Sequence, residues 1–527
     1  MGQAELLIAG LLVGVAGLGA LARTLSIPYP IVLVIGGAAF GFVPGVPEVK
    51  LDPEVVLVIF LPPLLYSAAF FANLGDIRAN LRGISLTSVG LVLLTMAAVA
   101  VVAHELVDGL PWAAAFTLGA VVSPTDPVAG AQIMRRLGVP RRLISAVEGE
   151  GLFNDATALV AYRVAVAAVV AGSFSLADAG LRFVAGGLGG VAIGLIVGWA
   201  IAEIRKRVSD TQLSITVSLL SGYAAFIPAD ALGASGVLAA VTTGIYMGIR
   251  GPSIIPARTR LQGFMFWDIL DFLLNASLFV LVGLQLRTVV DGLGGYSAGT
   301  LAGYAVAVSA VVILARVGWL FSVVYVIRAL DRRPSQRARR IGAGPRFVVA
   351  WAGMRGAVSL AAALAIPLTT DGGAPFPARD LLIFLTFSVI FATLVLQGLT
   401  LAPVIRLLRV EGDGSEEREE LRARLEATKA ALAQLEALGD EEWTRDDTIE
   451  RMRGLYEYRK RRFAARAGKI EDDGYEDRSL AYQQVVQAVL AAQRNALIRL
   501  RNEGTISNEV MNRVVQEFDL EEARLEI

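Results

Sequence analysis

Long apolar runs dominate this chain from Met1 to about Val410. Uncharged stretches of roughly 18–25 residues recur there, and an α-helix needs about that length to cross a bilayer. The chain of 527 residues is 55% hydrophobic, above the roughly 45–50% that is typical of soluble domains. Because lipid offers no partner to unpaired backbone groups, and the alternating pattern of a barrel is absent, these runs predict membrane helices.

The loops between the apolar runs are unevenly charged. One alternate set of loops is rich in arginine, whereas the other set holds little beyond Lys50, Arg287 and Arg379. Because basic loops stay in the cytoplasm, this asymmetry predicts a multi-pass protein of the cell membrane with its N-terminus outside. The alternation supports about thirteen spans, which begin near Leu6, Tyr29, Leu51, Gly83, Trp112, Leu143, Ala179, Gln212, Ser235, Gly263, Ala298, Arg346 and Asp380.

Two of these spans contain helix-breaking segments. SPTDP at residues 123–127 interrupts span five, and AGMRG at 352–356 interrupts span twelve. Prolines remove backbone donors and glycines loosen a helix, so two crossing, discontinuous helices are predicted. They occupy matching places if the spans form two inverted six-helix repeats separated by a linker helix. The predicted fold class is thus an all-α polytopic membrane protein of this plan, with a soluble helical domain at its C-terminal end.

The two breaks carry charges of opposite sign. A helix that stops within the membrane exposes N–H groups at one end and C=O groups at the other, with about half a unit charge each. Asp126 can compensate the positive ends and Arg355 the negative ends, so both residues can be purely structural. Thr125 can offer its hydroxyl and a freed carbonyl to a small cation, because hard alkali cations bind oxygen ligands.

A second polar segment, GEGLFND at residues 149–155, opens span six. A carboxylate inside a span is rare and is functional by default. Burial disfavours the ionised form of an acid, so Asp155 can hold either a proton or a cation. Competition between the proton and the cation, at a site that faces each side of the membrane in turn, produces exchange.

The alternative role for Asp155 is to cap a helix or to pair with Arg163. Glu150 is expected to form a structural ion pair with Arg355.

Together, these motifs resemble the monovalent cation/proton antiporter family, in its sodium/proton exchanger branch with an Asn-Asp pair. The resemblance rests on SPTDPVA from residue 123, GEGLFNDA from 149 and GMRGAV from 353, and it covers about residues 1–408. It implies a homodimer in which a mobile core domain makes an elevator-like movement. The Asn-Asp pair implies electroneutral one-for-one exchange.

The family resemblance also implies roles for individual residues. It assigns cation and proton binding to Asp155, with Thr125, Asp126 and Asn154 in or beside the site. It assigns a stabilising ion pair to Glu150 and Arg355.

Two positions depart from the family pattern. Relatives often carry an acid in span three where this chain has Ser67, and some carry a hydroxyl residue where it has Gly151. Both changes remove a possible cation ligand, although waters or backbone carbonyls can replace it. Asn275 is a further polar residue in an apolar span, and packing between helices is its expected role.

After Arg409 the pattern changes to charged amphipathic helices. Residues 411–527 hold 27 of the 48 acidic residues and 19 of the 48 basic ones. The predicted domains are therefore a transmembrane antiporter domain, 1–409, and a cytoplasmic helical domain, 410–527, which regulates transport or supports the dimer. A solvated appendage without such a role is the alternative. A short heptad seam is predicted at Leu421, Leu425, Thr428, Leu432 and Leu435.

The leading functional hypothesis is secondary antiport of Na⁺, or of Li⁺ or K⁺, against H⁺. The alternatives are a K⁺/H⁺ antiporter, a transporter-derived sensor that signals through the tail, and an intramembrane enzyme with Asp126 and Asp155 as a dyad. The enzyme is disfavoured because nothing activates a nucleophile, and the sensor because the tail lacks an output motif. The expected partners are the lipid bilayer, monovalent cations, protons and a second copy, with no nucleic acid and no cofactor.

Overall fold

The computed structural model describes residues 3–25, 27–43, 53–172, 176–291, 293, 295–330, 341–412, 414–471 and 473–523. The regular elements within these ranges are all helices. The chain divides into two compact units, Met1–Gly412 and Asp413–Ile527.

The helices of the first part of the larger unit follow one another through short connections. They are α1 (Gln3–Leu25), α2 (Tyr29–Gly41), α3 (Pro53–Phe70), α4 (Leu74–Ser85), α5 (Val92–Leu106), α6 (Trp112–Val122), α7 (Pro127–Arg136) and α8 (Arg141–Ala171). A π-helical segment, Leu86–Leu91, joins α4 to α5.

The second part of the larger unit contains several longer helices. They are α9 (Leu176–Arg207), α10 (Thr211–Ala231), α11 (Gly236–Ile254), α12 (Ala257–Asp291), α13 (Ala298–Leu330), α14 (Ala343–Trp351), α15 (Ala357–Leu364), α16 (Arg379–Ala392) and α17 (Gly398–Leu407). A second π-helical segment, Thr393–Gln397, joins α16 to α17.

The larger unit has the helices of a membrane protein. Among the described residues, seven helical segments are long and apolar enough to cross a bilayer, and shorter apolar helices lie at Val13–Leu25, Tyr29–Gly41 and Val58–Phe70. Many large apolar side chains on these helices are exposed, such as Leu188 at 67% and Trp199 at 61%. A lipid environment provides the apolar surroundings that such side chains need.

Glycines allow α2 and α12 to pack with their backbones in close contact. A Cβ atom on Gly37 would lie 2.4 Å from the Val280 carbonyl oxygen, and one on Gly283 would lie 2.4 Å from that of Val34. Small residues permit such close approach between helices in membranes, where van der Waals packing drives association. This contact joins α2, which begins at Tyr29, to the second half of α12.

The smaller unit is a set of four helices. They are α18 (Ser415–Gly439), α19 (Asp446–Arg466), α20 (Tyr475–Asn502) and α21 (Asn508–Ala523). Leu425, Thr428 and Leu435 of the predicted heptad seam are buried. The Ser507 hydroxyl accepts a hydrogen bond from the Val510 N–H group at 3.2 Å, as expected of a residue that caps the start of α21.

Candidate functional site at the crossing of two broken helices

The first broken helix consists of α6 and α7. Its backbone leaves the helical path between Ser123 and Asp126, where Pro124 and Pro127 cannot donate backbone hydrogen bonds. The Asp126 carboxylate accepts a hydrogen bond from the N–H group of Val128 at 2.8 Å and so caps the start of α7. Asp126 therefore lies at the positive end of this half-helix, where the sequence predicted a compensating acid.

The second broken helix consists of α14 and α15, and it crosses the first. The Asp126 N–H group donates a hydrogen bond to the Met354 carbonyl at 2.8 Å, so the two breaks are joined by their backbones. This approach requires a glycine at position 356. A Cβ atom there would lie 1.9 Å from an Asp126 carboxylate oxygen. Both breaks are thus held at one point of the fold.

Arg355 occupies the negative end of α6, the first half of this broken helix. Its Nε atom donates to the carbonyl of Val122, the last residue of α6, at 3.1 Å. A terminal nitrogen of the same guanidinium donates to the Gly353 carbonyl. The Arg355 side chain is fully buried. The guanidinium therefore satisfies carbonyl groups that the broken helices leave unpaired.

The prediction that Glu150 forms an ion pair with Arg355 is wrong. Arg316 of α13 pairs with Glu150 instead, through both terminal guanidinium nitrogens and both carboxylate oxygens. Arg316 also donates to the carbonyl of Ala350 at 3.1 Å and to that of Val349 at 3.2 Å. One arginine thus neutralises Glu150 and stabilises the end of α14.

The sequence contains a feature that indicates a role for Arg316, although no role was predicted for it. It is an arginine in the apolar run of α13, and a charge within a span indicates a buried partner or a functional site. The side chains of Arg316 and Glu150 are 0% and 4% exposed. Because isolated buried charges are expensive, this pairing is a strong constraint on how α8 and α13 pack.

Thr125, Asn154 and Glu150 form one hydrogen-bonded group beside the first break. The Asn154 amide donates to the Thr125 hydroxyl at 2.8 Å and to the Thr125 carbonyl at 3.3 Å. The Thr125 hydroxyl in turn donates to Glu150 at 3.2 Å. The Asn154 side-chain oxygen is buried without a hydrogen-bond partner. Such an atom is an acceptor available to a ligand.

Asp155 follows Asn154 on α8 and is half-buried. No hydrogen bond or ion pair reaches its carboxylate from the residues that the structure describes, and Asp126 is the charged residue that interacts with it electrostatically. Arg163, the alternative partner considered from the sequence, forms an exposed ion pair with Asp230. The Asp155 charge therefore has no fixed counter-charge in this part of the fold.

Glycine at position 151 lets α8 pack directly against the first break. A Cβ atom on Gly151 would lie 2.7 Å from two ring carbons of Pro127. A hydroxyl side chain at this position would require the break to move.

Ser67 and Asn275 lie on α3 and α12, and both contact Asp271. The Ser67 hydroxyl donates to the Asp271 carboxylate at 2.7 Å, and the Asn275 amide donates to the Asp271 backbone carbonyl at 2.8 Å. Neither has a hydrogen bond to the group around Thr125 among the described residues. Asp271 lies well inside α12, as its fifteenth residue.

The chain is similar to known proteins along most of its length. Residues 8–407 match the family described as sodium/hydrogen exchanger, transmembrane. An uncharacterized Na(+)/H(+) exchanger of Mycobacterium bovis is 39% identical over 500 residues, which cover 94% of this chain and 91% of that protein. A sodium, potassium, lithium and rubidium/H(+) antiporter of Bacillus subtilis is 32% identical over 388 residues, which cover 71% of this chain and 57% of that protein.

A solved structure shares the fold. The sodium proton antiporter MjNhaP1 from Methanocaldococcus jannaschii, at pH 8, superposes with a TM-score of 0.59 at 17% identity, covering 77% of this chain and 100% of that one. Fold and site together define a multi-pass membrane transporter whose charged groups meet where two broken helices cross. The chain belongs to the sodium/hydrogen exchanger family, whose members exchange cations and protons.

Proposed function

We propose that this protein is a secondary antiporter that exchanges Na⁺ for H⁺ across the cell membrane, with Asp155 as the residue that binds each in turn. The observation that carries this proposal is the Asp155 carboxylate, which has no hydrogen bond or ion pair within the described structure and follows Asn154, whose amide donates to Thr125 at the first break. A carboxylate in such a place needs either a proton or a mobile cation to balance its charge.

The neighbours of Asp155 supply the oxygen atoms that an alkali cation requires. The Asn154 side-chain oxygen is unpartnered, and Thr125 contributes a backbone carbonyl and a hydroxyl beside it. Asp126 adds a second carboxylate within electrostatic range. Carbonyl and carboxylate oxygens can replace the hydration shell of a small cation. These four residues form the proposed Na⁺ site.

The charges around the crossing favour one-for-one, electroneutral exchange. Arg316 neutralises Glu150 through a buried ion pair. Arg355 offsets the negative end of α6 and Asp126 the positive end of α7, the two half-helix ends on either side of the break. Asp155 is then the carboxylate whose charge is left to the transported ion. One titrating charge per cycle moves one proton for one monovalent cation.

The transport cycle that we propose is an elevator-type movement in a homodimer. Thirteen spans, arranged as two inverted six-helix repeats and a linker helix, would place both broken helices in one mobile core. The arginine-rich loops support an external N-terminus and a cytoplasmic C-terminal unit. The helices that follow Asp413 would then regulate transport or support the dimer from the cytoplasm.

Potassium is the second candidate for the cation. The Bacillus subtilis relative is named for exchange of sodium, potassium, lithium and rubidium, which favours a site of broad selectivity. At positions 67 and 151 this chain has serine and glycine, so it lacks two side chains that could bind the cation. Fewer side-chain ligands restrict less strictly which monovalent cation fits. A transporter-derived sensor is less favoured, because the charged groups of both breaks are retained.

Reconstitution into liposomes tests the proposed exchange. A pH gradient is imposed, a proton-sensitive dye is enclosed, and Na⁺, Li⁺ or K⁺ is added. We expect Na⁺ to collapse the gradient in the wild type and not in Asp155→Asn. Asp268→Asn, which removes an exposed carboxylate from α12, serves as the control and should keep full activity. Equal activity of Asp155→Asn and the wild type would overturn the site assignment.

Voltage dependence tests the stoichiometry separately. With the membrane potential clamped at different values by K⁺ and valinomycin, an electroneutral cycle runs at one rate. A rate that changes strongly with voltage would show that net charge moves in each cycle.

A further inference from the structure

Asp271 is a carboxylate well inside the longest membrane helix. It lies about 21 Å along the axis from the first residue of α12 and about 30 Å from its last. It is half-buried, and it forms no ion pair with the residues that the structure describes. A carboxylate at this depth is expensive to ionise without a counter-charge. The proposed site around Asp155 does not account for it.

Ser67 fixes the position of the Asp271 carboxylate. Its hydroxyl donates to one carboxylate oxygen at 2.7 Å, and it also lies 3.1 Å from the Leu64 carbonyl of its own helix. A serine hydroxyl carries a single proton, so it leaves the Asp271 charge and the second carboxylate oxygen without a partner among the described residues. Ser67 itself is only 1% exposed. The contact therefore orients the acid without neutralising it.

Tyr29 connects this acid to the crossing of the broken helices. Its ring lies edge-on to that of Phe272, the residue after Asp271, at 5.3 Å between centroids. Its hydroxyl interacts electrostatically with both Asp126 and Asp271. Tyr29 begins α2, which packs closely against α12. The Tyr29 hydroxyl is thus a polar group within electrostatic range of both Asp271 and Asp126 of the proposed Na⁺ site.

We propose that Asp271 is a further cation-binding residue, which holds a monovalent cation on its way between the cytoplasm and the site at Asp155, with Ser67 as its positioning residue. The proposal rests on the exchange function proposed above. On the orientation that the arginine-rich loops favour, α12 begins at the cytoplasmic face, and Asp271 lies nearer to that end of α12 than to its other end. A mobile cation is the counter-charge that the fixed groups around Asp271 do not supply.

Apparent affinity for Na⁺ on the cytoplasmic side tests this proposal in proteoliposomes. Asp271→Asn removes the charge but keeps an oxygen that accepts the Ser67 hydrogen bond. We expect its apparent KM for Na⁺ to rise about tenfold while the maximal rate stays near that of the wild type, because a charged ligand is lost on the access path and not at the exchange site. Asp108→Asn, which removes an exposed carboxylate from the connection between α5 and α6, is the control and should leave KM unchanged.

Variants at Ser67 separate positioning from packing. Ser67→Ala should raise KM less than Asp271→Asn does, and Ser67→Thr, which keeps the hydroxyl, should restore it. Because the Ser67 hydroxyl is 2.7 Å from the Asp271 carboxylate, a carboxylate carried on α3 can reach the same space. We therefore expect Ser67→Glu to restore Na⁺ affinity in an Asp271→Ala background.

The outcomes separate this proposal from the exchange function. An inactive wild type would refute the proposed exchange itself. An active wild type with an unchanged KM in Asp271→Asn would refute the role of Asp271 alone, as would an equal rise in Asp108→Asn. If Asp271→Asn fails to fold, the Ser67→Ala and Ser67→Thr pair decides, because equal KM values in these two variants and the wild type contradict the proposal.

Discussion

Arg316 and Glu150 form a buried, bidentate ion pair that joins α13 to α8 at the crossing of the broken helices. The same guanidinium binds carbonyls at the end of α14, so three helices meet on one side chain. Thr125 reaches the other partner, because its hydroxyl donates to Glu150. The ion pair therefore positions Thr125 of the proposed cation site but contributes no ligand to the cation.

Removing Arg316 should destabilise the protein more than removing any exposed arginine. In Arg316→Met the Glu150 charge stays buried without a partner, which costs about 3–5 kcal/mol of unfolding free energy. Arg163→Met breaks the exposed pair with Asp230 and should cost at most about 1 kcal/mol. Thermal unfolding of both variants in detergent, followed by tryptophan fluorescence, measures the difference.

A double variant shows whether the lost stability comes from the unpaired charge. Arg316→Met combined with Glu150→Gln removes both charges, so it should unfold at a higher temperature than Arg316→Met alone. If the double variant is less stable than the single one, the hydrogen bonds of Arg316 to α14 matter more than its charge.

The two breaks were predictable from the sequence because their causes are local. Pro124 and Pro127 interrupt one helix, and Gly353 and Gly356 allow the other to unwind, whatever surrounds them. The capping role of Asp126 follows from the same local pattern. Such features depend on a few adjacent residues and not on how the helices pack.

The pairing of charges was not predictable in the same way. Glu150 and Arg316 are 166 residues apart, and Ser67 and Asp271 are 204 apart. Two arginines, 316 and 355, reach the interior near Glu150, and only the rotation and depth of each helix decides which of them meets it. Packing in a membrane depends on the fit of whole helix surfaces, which a single sequence does not specify.

Gly356→Ala should abolish exchange. The added Cβ atom would lie 1.9 Å from an Asp126 carboxylate oxygen, so the two breaks must separate or Asp126 must leave its cap. Overpacking of this kind costs about 1–3 kcal/mol, and here it falls on the proposed site. Gly318→Ala on α13 is the control, because a Cβ atom there meets nothing within 4 Å. Dye-based exchange in liposomes should distinguish the two, and full activity in Gly356→Ala would contradict the close crossing.

Leu425→Ala should loosen the smaller unit. Leu425 is 4% exposed in the seam of α18, and truncation of such a leucine costs about 2–5 kcal/mol. Leu480→Ala on α20 is the matched control, since that leucine is 49% exposed. Hydrogen exchange on the full-length protein should show faster exchange in the α18 and α19 peptides of Leu425→Ala only. Equal protection in both variants would mean that the seam is not a core.

Protons and Na⁺ should compete for the site at Asp155. As pH falls, a larger fraction of the carboxyl group is protonated, so the apparent KM for Na⁺ should rise, by up to about tenfold per pH unit in the range where the proton dominates. Saturating Na⁺ should restore the same maximal rate, because the proton is displaced and the protein is not altered. Exchange rates measured over a grid of Na⁺ concentrations and equal internal and external pH values test this directly. A fall in maximal rate at constant KM would instead indicate protonation at a separate, regulatory group, and Asp155 would then not be the shared site.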